Sequence, residues 1–252
     1  MTLTRTADRY VVHELLSAKD EVTPCTPPDV MHSSECQGKD IRAGEDGLWR
    51  AFVTKGGVAV DAGPILHRGR SCIITITART FTQSACQDPC IGYVIRESPP
   101  FSRKIVILGD TYDPTALLPL CCSPCPSLLI HESTDAHIPP AIDSNPNPNL
   151  KRNKENVETK TRDRGHSTPG MAGSFAKLVG ARQLVLNHIG SRFPAPQSSN
   201  WKRLRDSRVA AMKEVEWQAS EAWGEGKAQA AVDFMRVEVS VVSDTSDSGR
   251  ME

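Results

Sequence analysis

Three short runs of apolar, mostly β-branched residues each stop on a side chain able to do chemistry. Lys104-Ile-Val-Ile-Leu108 leads into Gly109-Asp110-Thr111, Ser127-Leu-Leu-Ile-His131 into Glu132-Ser133-Thr134, and Gln183-Leu-Val-Leu-Asn187 into His188. Strands that are apolar throughout, rather than alternating, suit a sheet buried on both faces. Between the second and third runs a helix is punctuated at both ends. Ser167 or Thr168 can cap it, Pro169 suits its first turn and Gly180 its exit. Met171, Phe175, Leu178 and Val179 fall on one face of that helix and are expected to pack on the sheet. A longer helix is predicted from about Lys202 to Trp223, with Val209, Met212, Val215 and Ala219 as its inner stripe. Gly57–Asp61 and Ile91–Ile95 read as earlier strands, and Arg236–Val242 alternates as a last one. Strand, strand, helix, strand is the order of a layered α/β domain.

In α/β folds chemistry gathers at the carboxyl ends of strands, where loops present polar groups on a rigid frame. A fourth apolar stretch, Gly63-Pro-Ile-Leu66, ends in His67. Singly, an Asp-Thr pair makes a turn and a histidine after a strand is a solvated loop residue. Together, Asp, His and Glu at several strand ends are the donors that a hydrolytic zinc site needs.

Composition narrows the alternatives. Lys plus Arg and Asp plus Glu both number 30, so the formal charge is zero, and this neither requires nor excludes a nucleic-acid partner. No run approaches the ~20 apolar residues of a membrane span. Met1–Lys19 has no apolar signal core. The expectation is a soluble, intracellular protein of cytoplasm or nucleus with no membrane partner. Eight cysteines invite a zinc or disulfide reading, through Cys122-Ser-Pro-Cys125 with Cys86 and Cys90. Their unequal spacing favours small buried hydrophobes instead. Residues 20–46 and 138–165, rich in Pro, Ser, Asn and charge, are expected to be loosely structured, with 138–163 a charged loop or helix region. The polar tail 243–252 is expected to be disordered.

A family resemblance spans residues 89–240. Lys104–Thr111, Leu128-Leu-Ile-His-Glu-Ser-Thr134, Gly165-His-Ser-Thr168 and Leu186-Asn-His-Ile-Gly-Ser-Arg-Phe193 resemble, in order and spacing, the later motifs of ribonuclease Z. Weaker similarity extends back through Tyr10–Leu15 and Gly44–Trp49 to Gly63–His67. The resemblance implies a partial metallo-β-lactamase αββα sandwich over residues 1–242. It implies zinc, two ions in the complete family site, and endonucleolytic removal of 3′ trailers from precursor tRNA. Asp110 would bridge the two ions, with His67 on one and His188 on the other. Glu132 and His166 would form the pair that protonates the leaving oxygen, and Arg192 would contact the substrate. A homodimer is implied by analogy with the family.

Two departures stand against the resemblance. The family's strongest signature, His-x-His-x-Asp-His, is missing; before His67 there are only His13 and His32. Residues 69–88 interrupt the passage from His67 to Pro89-Cys-Ile-Gly-Tyr93 and read as an insertion outside the core, an exon-boundary irregularity rather than a sheet element. Two protein ligands per ion fall short of the three or four that zinc takes. Such a chain is expected to bind zinc weakly and to be an incomplete, inactive catalytic domain as written. The alternative is a degenerate, non-catalytic module of this fold that binds RNA or a partner chain. A small-ester or lactam hydrolase of the same fold is disfavoured by Gly165-His-Ser-Thr168.

Overall fold

A computed structural model describes residues 10–12, 15–16, 35–37, 40–55, 57–65, 90–98, 102–143, 152–196 and 201–241. His67, the insertion at 69–88 and the tail 243–252 lie outside them.

The apolar runs become the middle of one large sheet. It holds β5 (Trp49–Lys55), β6 (Val58–Ile65), β7 (Cys90–Glu97), β8 (Lys104–Leu108), β9 (Leu128–Glu132), β10 (Leu184–Asn187) and β11 (Gln229–Ala230). Their spatial order is β11-β10-β9-β8-β7-β6-β5. The half from β5 to β8 is an antiparallel meander, and β8, β9, β10 and β11 run parallel. Parallel neighbours require crossovers. The β9–β10 crossover carries two helices, α2 (Lys154–Asp163) and α3 (Pro169–Leu178), and α4 (Lys202–Trp223) links β10 to β11. Short parallel pairs precede the sheet, β1 (Tyr10–Val12) with β3 (Glu35–Gln37) and β2 (Leu15–Leu16) with β4 (Ile41–Arg42).

Two faces pack differently. On one, Val94, Val106, Leu108, Leu129 and Leu186 meet Phe175 of α3, Val179 just after it, and Val215, Ala219 and Trp223 of α4. On the other, Ala43, Trp49 and Ala62 form a smaller cluster with Leu15, Ile41 and Phe52 around them, and the Trp49 indole donates to the Leu16 carbonyl at 2.9 Å. This second layer lies at the β5–β6 end. Among the described residues β8 is therefore deeply buried on one face only: Val106 and Leu108 are buried while Ile105 and Ile107 are half-buried. The expectation of burial on both faces holds for β9 and β10 better than for β8.

Several sequence expectations need correcting. Arg236–Val241 is not a strand; β11 at Gln229–Ala230 is the edge, because pairing with Val185 and Leu186 selects the segment that α4 delivers beside β10. Within 138–163, read as a charged loop or helix region, residues 154–163 form α2, capped by the Asn153 side chain accepting from the Asn156 N–H. Within 20–46, β3 and β4 are ordered strands. In α3 the buried face is Ala172, Phe175, Ala176 and Val179, and Leu178 is 57% exposed. The rotation follows from α4: a Cβ on Gly173 would lie 2.2 Å from the Ala219 carbonyl, so the small residues of α3 must face α4. Of the longer helix's stripe, Val215 and Ala219 are buried and Val209 and Met212 half-buried. Cys121 is buried and burial pushes its thiol up to about 12, but Cys122 and Cys125 are exposed, so the cysteines are not uniformly core residues.

Two buried polar side chains tie the layers together. Lys104 reaches through the core to donate to the last carbonyls of α1 (Leu118–Cys121), at 2.8 Å to Leu120 and 3.3 Å to Cys121, and burial lowers its pKa. His131 is fully buried, edge-on to Phe175 at 6.0 Å, and its Nδ1–H donates to the Glu132 carbonyl at 2.8 Å. Its Nε2 has no partner, and burial holds its pKa down at about 4. The imidazole is neutral when folded and takes up a proton near pH 6.5 when unfolded. This contribution to stability is fully present above pH 6.5 and is lost as pH falls towards 4, by roughly 3 kcal/mol in all. Glu132 acts in the opposite sense over the same range, so the test is the difference: between pH 7 and 4 the urea unfolding free energy of the natural chain should lose roughly 3 kcal/mol relative to that of His131→Leu. Parallel slopes in the two proteins would refute the assignment.

Candidate metal and catalytic site

The site is assembled where β8, β9 and β10 end. Asp110 follows β8 by two residues, Glu132 closes β9, and His188 is the residue after β10. His166 sits between α2 and α3, on the loop that returns the chain to the same edge. Because β8, β9 and β10 are parallel, their carboxyl ends share an edge, and residues distant in sequence meet there.

At the centre is the Glu132 carboxylate, 1% exposed. Oε1 accepts from the Thr111 N–H at 3.0 Å, the Ser167 N–H at 2.9 Å and His166 Nδ1 at 3.2 Å. Oε2 accepts from Thr134, from its N–H at 3.1 Å and its hydroxyl at 2.7 Å. Burial raises the Glu132 pKa to about 7, opposed by the Thr134, Ser167 and Thr111 hydrogen bonds that favour the carboxylate. Ser167 adds a further bond, its hydroxyl donating to the Thr111 carbonyl at 2.5 Å. Its side chain therefore braces the β8 loop instead of capping α3. Thr168 is the N-cap residue of α3, without a side-chain cap bond.

Outside this buried layer lie Asp110, His166 and His188, each offering a donor atom within 4.8 Å of the others. His188 Nδ1 is 3.0 Å from Asp110 Oδ1 and 3.1 Å from the Thr134 hydroxyl, and His166 Nδ1 is 4.0 Å from Asp110 Oδ2. The two imidazoles tilt against each other with centroids 5.3 Å apart. One carboxylate with two imidazoles is a donor set suited to zinc. His188 has a φ of +48°, a left-handed conformation uncommon for a residue with a side chain. The following loop is pressed onto Thr134: the Gly190 N–H donates to the Thr134 carbonyl at 3.1 Å, and a Cβ on Gly190 would lie 2.3 Å from that oxygen.

Of the residues singled out in the sequence, Asp110, Glu132, His166 and His188 come together, and His67 falls outside the described residues. Arg192 lies beyond the cluster, pairing with Asp143 at 3.4 Å. Thr134, Ser167 and Gly190 stand inside the motifs at 128–134, 165–168 and 186–193, but their bracing roles depend on which carbonyl or carboxylate the fold sets opposite them.

No family model matches the sequence. Over 189 residues it is 30% identical to the bovine (Bos taurus) zinc phosphodiesterase ELAC protein 1, an alignment covering 73% of this chain and 42% of that protein. It is 33% identical over 101 residues to the ribonuclease Z of Streptococcus sanguinis, covering 40% of this chain and 26% of the relative. The chain thus spans less than half the length of the curated relatives it matches. A crystal structure of human tRNase Z, short form (ELAC1), superposes with a TM-score of 0.48 at 22% identity, covering 91% of this chain and 57% of that one. The chain is a mixed α/β protein built on one seven-stranded sheet. It belongs to the ribonuclease Z family, whose members' names are those of phosphodiester-cleaving hydrolases. Among the described residues no helix is long and apolar enough to cross a membrane.

The close contact at Gly190 gives a direct test of the site's construction. Gly190→Ala should lower the unfolding free energy by about 1–3 kcal/mol, because the new methyl meets a backbone oxygen that cannot swing away. Gly170→Ala is the control. Nothing lies within 4 Å of a Cβ there, and it should be neutral or stabilising by up to about 1 kcal/mol. Equal denaturation curves for Gly190→Ala and the natural chain would show that the loop is not pinned to Thr134.

Proposed function

We propose that this chain carries part of a zinc-dependent endoribonuclease site that removes 3′ trailers from precursor tRNA. The observation that carries the reading is the Asp110–His166–His188 cluster set on the buried Glu132 carboxylate. Zinc held by Asp110 and His188 would polarise a phosphate oxygen and lower the pKa of a bound water. The chain's own residues do the rest. Glu132 accepts from His166 Nδ1, which fixes the ring and leaves Nε2 to hold a proton for the oxygen that departs from phosphorus. The Thr134 hydroxyl donates to Glu132 Oε2 and accepts from His188 Nδ1–H, so one side chain orients both the acid pair and the metal-facing imidazole. Arg192 exchanges its exposed contact with Asp143 for a substrate phosphate. His67 completes the donor set proposed from the family resemblance.

A second reading is favoured by the missing His-x-His-x-Asp-His motif. With few ligands and no aspartate to activate water, the chain alone would be a degenerate module that holds RNA or a partner chain without cutting it. Its third nearby donor, His166, would then serve as a ligand instead of an acid.

Two measurements separate these readings. Calorimetric titration should give weak zinc binding that Asp110→Ala or His188→Ala abolishes and that His166→Ala leaves within a few-fold; loss of zinc in His166→Ala would make it a ligand. In a pre-tRNA cleavage assay with zinc or manganese, the chain should cut negligibly, several orders of magnitude below a version extended by a segment bearing His-x-His-x-Asp-His. Cleavage by neither form would favour the non-catalytic module. Robust cleavage by the short form, abolished by His188→Ala, would mean that other residues complete the site.

A further inference from the structure

The start of α4 is built against the preferences of an isolated helix. Its first seven residues, Lys202-Arg-Leu-Arg-Asp-Ser-Arg208, hold four cations against one acid, Asp206. The first turn contains no acidic residue, and Trp201 at the N-cap makes no side-chain cap bond. Cations at the positive end of a helix dipole are destabilising. α2 shows the ordinary arrangement, with an Asn153 cap, Glu155 in its first turn and Lys160 and Arg162 in its last. Lys202, Arg203 and Arg205 are exposed, Leu204 is 47% exposed and Trp201 is 80% exposed. An exposed aromatic ring beside a cluster of exposed cations is the combination that a single-stranded polyanion with π-faces would satisfy.

The position of this patch adds to the argument. Leu204, Arg208 and Ala211 line a cavity of about 260 Å3 together with Arg192 and Phe193. Phe193 also lines a second cavity, of about 740 Å3, whose wall includes His188 and Met212. Phe193 is thus common to a cavity walled by His188 and a cavity walled by Leu204 and Arg208 of α4. Two cations in these walls already have internal contacts that orient them: Arg208 donates to the Ala195 carbonyl at 3.4 Å and Arg192 pairs with Asp143 at 3.4 Å.

We propose that the first two turns of α4 bind a single-stranded RNA segment, with Lys202, Arg203 and Arg205 on phosphates and Trp201 stacked on an unpaired base. To reach the Asp110–His166–His188 cluster the strand would pass the two cavities that share Phe193. This deepens the phosphodiesterase reading and rests on it for the direction in which the strand runs. The neutral charge of the whole chain hides the patch, because the balancing acids lie elsewhere.

The test is fluorescence anisotropy of the purified full chain with a short labelled single-stranded RNA, in EDTA so that neither metal nor cleavage contributes. The natural chain should bind, with affinity falling as salt rises. The triple substitution Lys202→Ala, Arg203→Ala, Arg205→Ala should weaken binding about tenfold or more at moderate salt. It should also lower the slope of log affinity against log salt by about two, at roughly 0.7 per strand phosphate contact. Trp201→Ala should weaken binding about tenfold at unchanged slope. Circular dichroism of these exposed-site variants should match that of the natural chain. In a separate zinc titration the triple variant should match the natural chain, so a failure of the metal site and a failure of this surface give different patterns. Unchanged affinity and slope in the triple variant, no RNA binding by the natural chain, or binding to phosphatidylserine vesicles but not to RNA would each overturn the proposal. Unchanged affinity in Trp201→Ala would overturn the stacking contact.

Discussion

A single buried carboxylate holds the working edge of this protein together. Glu132 accepts from Thr111 after β8, from Thr134 after β9 and from Ser167 and His166 between α2 and α3. Removing a carboxyl group from water is costly unless its oxygens are hydrogen-bonded, and three of these donors are backbone N–H groups that can be aimed only by the fold. The chain segments are thereby obliged to meet at one point. Asp110 and His166, each next to a residue whose backbone N–H reaches Glu132, are placed by the same bonds.

The His188 side of the site rests on a different constraint. Its loop is shaped by a left-handed residue and by the close approach of Gly190 to the Thr134 carbonyl. Sparsely populated backbone conformations persist where surrounding structure over-determines them. Thr134 joins the two constraints, since its hydroxyl touches both Glu132 and His188. The site edge thus combines a rigid interior, made of strand ends and a buried acid, with an exposed outer layer of Asp110 and His188. A buried hydrogen-bonded layer behind exposed donors is what orients ligands before a cation or substrate arrives.

The helical layer contributes in two ways. The small residues of α3 let it press against α4, with Gly173 against the Ala219 backbone, and this pair covers the sheet face beneath the site. The same α4 projects its cationic first turns beyond the core. The half of the helix that packs and the half that faces water are consecutive along the chain, so its overall composition describes neither.

Much of the architecture follows from local sequence. The apolar runs at 104–108, 127–131 and 183–187 can only be strands of a covered sheet, Pro169 and Gly180 bracket α3, and the termini of α4 are as the sequence predicts. Asp110, Glu132, His166 and His188 are recognisable because strand ends bearing acid and imidazole groups are chemically unusual, and more so when they resemble a family's motifs. Long-range contacts decided the remainder. Pairing with β10 chose Gln229–Ala230 over the better-patterned Arg236–Val242 as the edge strand. Helix-on-helix contact turned Leu178 outward and Ala172 inward. Thr134, Ser167 and Gly190 became site residues through partners 54, 56 and 56 positions away in sequence (His188, Thr111 and Thr134 respectively). A residue's propensity and periodicity are properties of its neighbours along the chain, whereas its hydrogen-bond partner is a property of the fold, and that is why the acid and imidazole groups could be read from the sequence and the bonds that aim them could not.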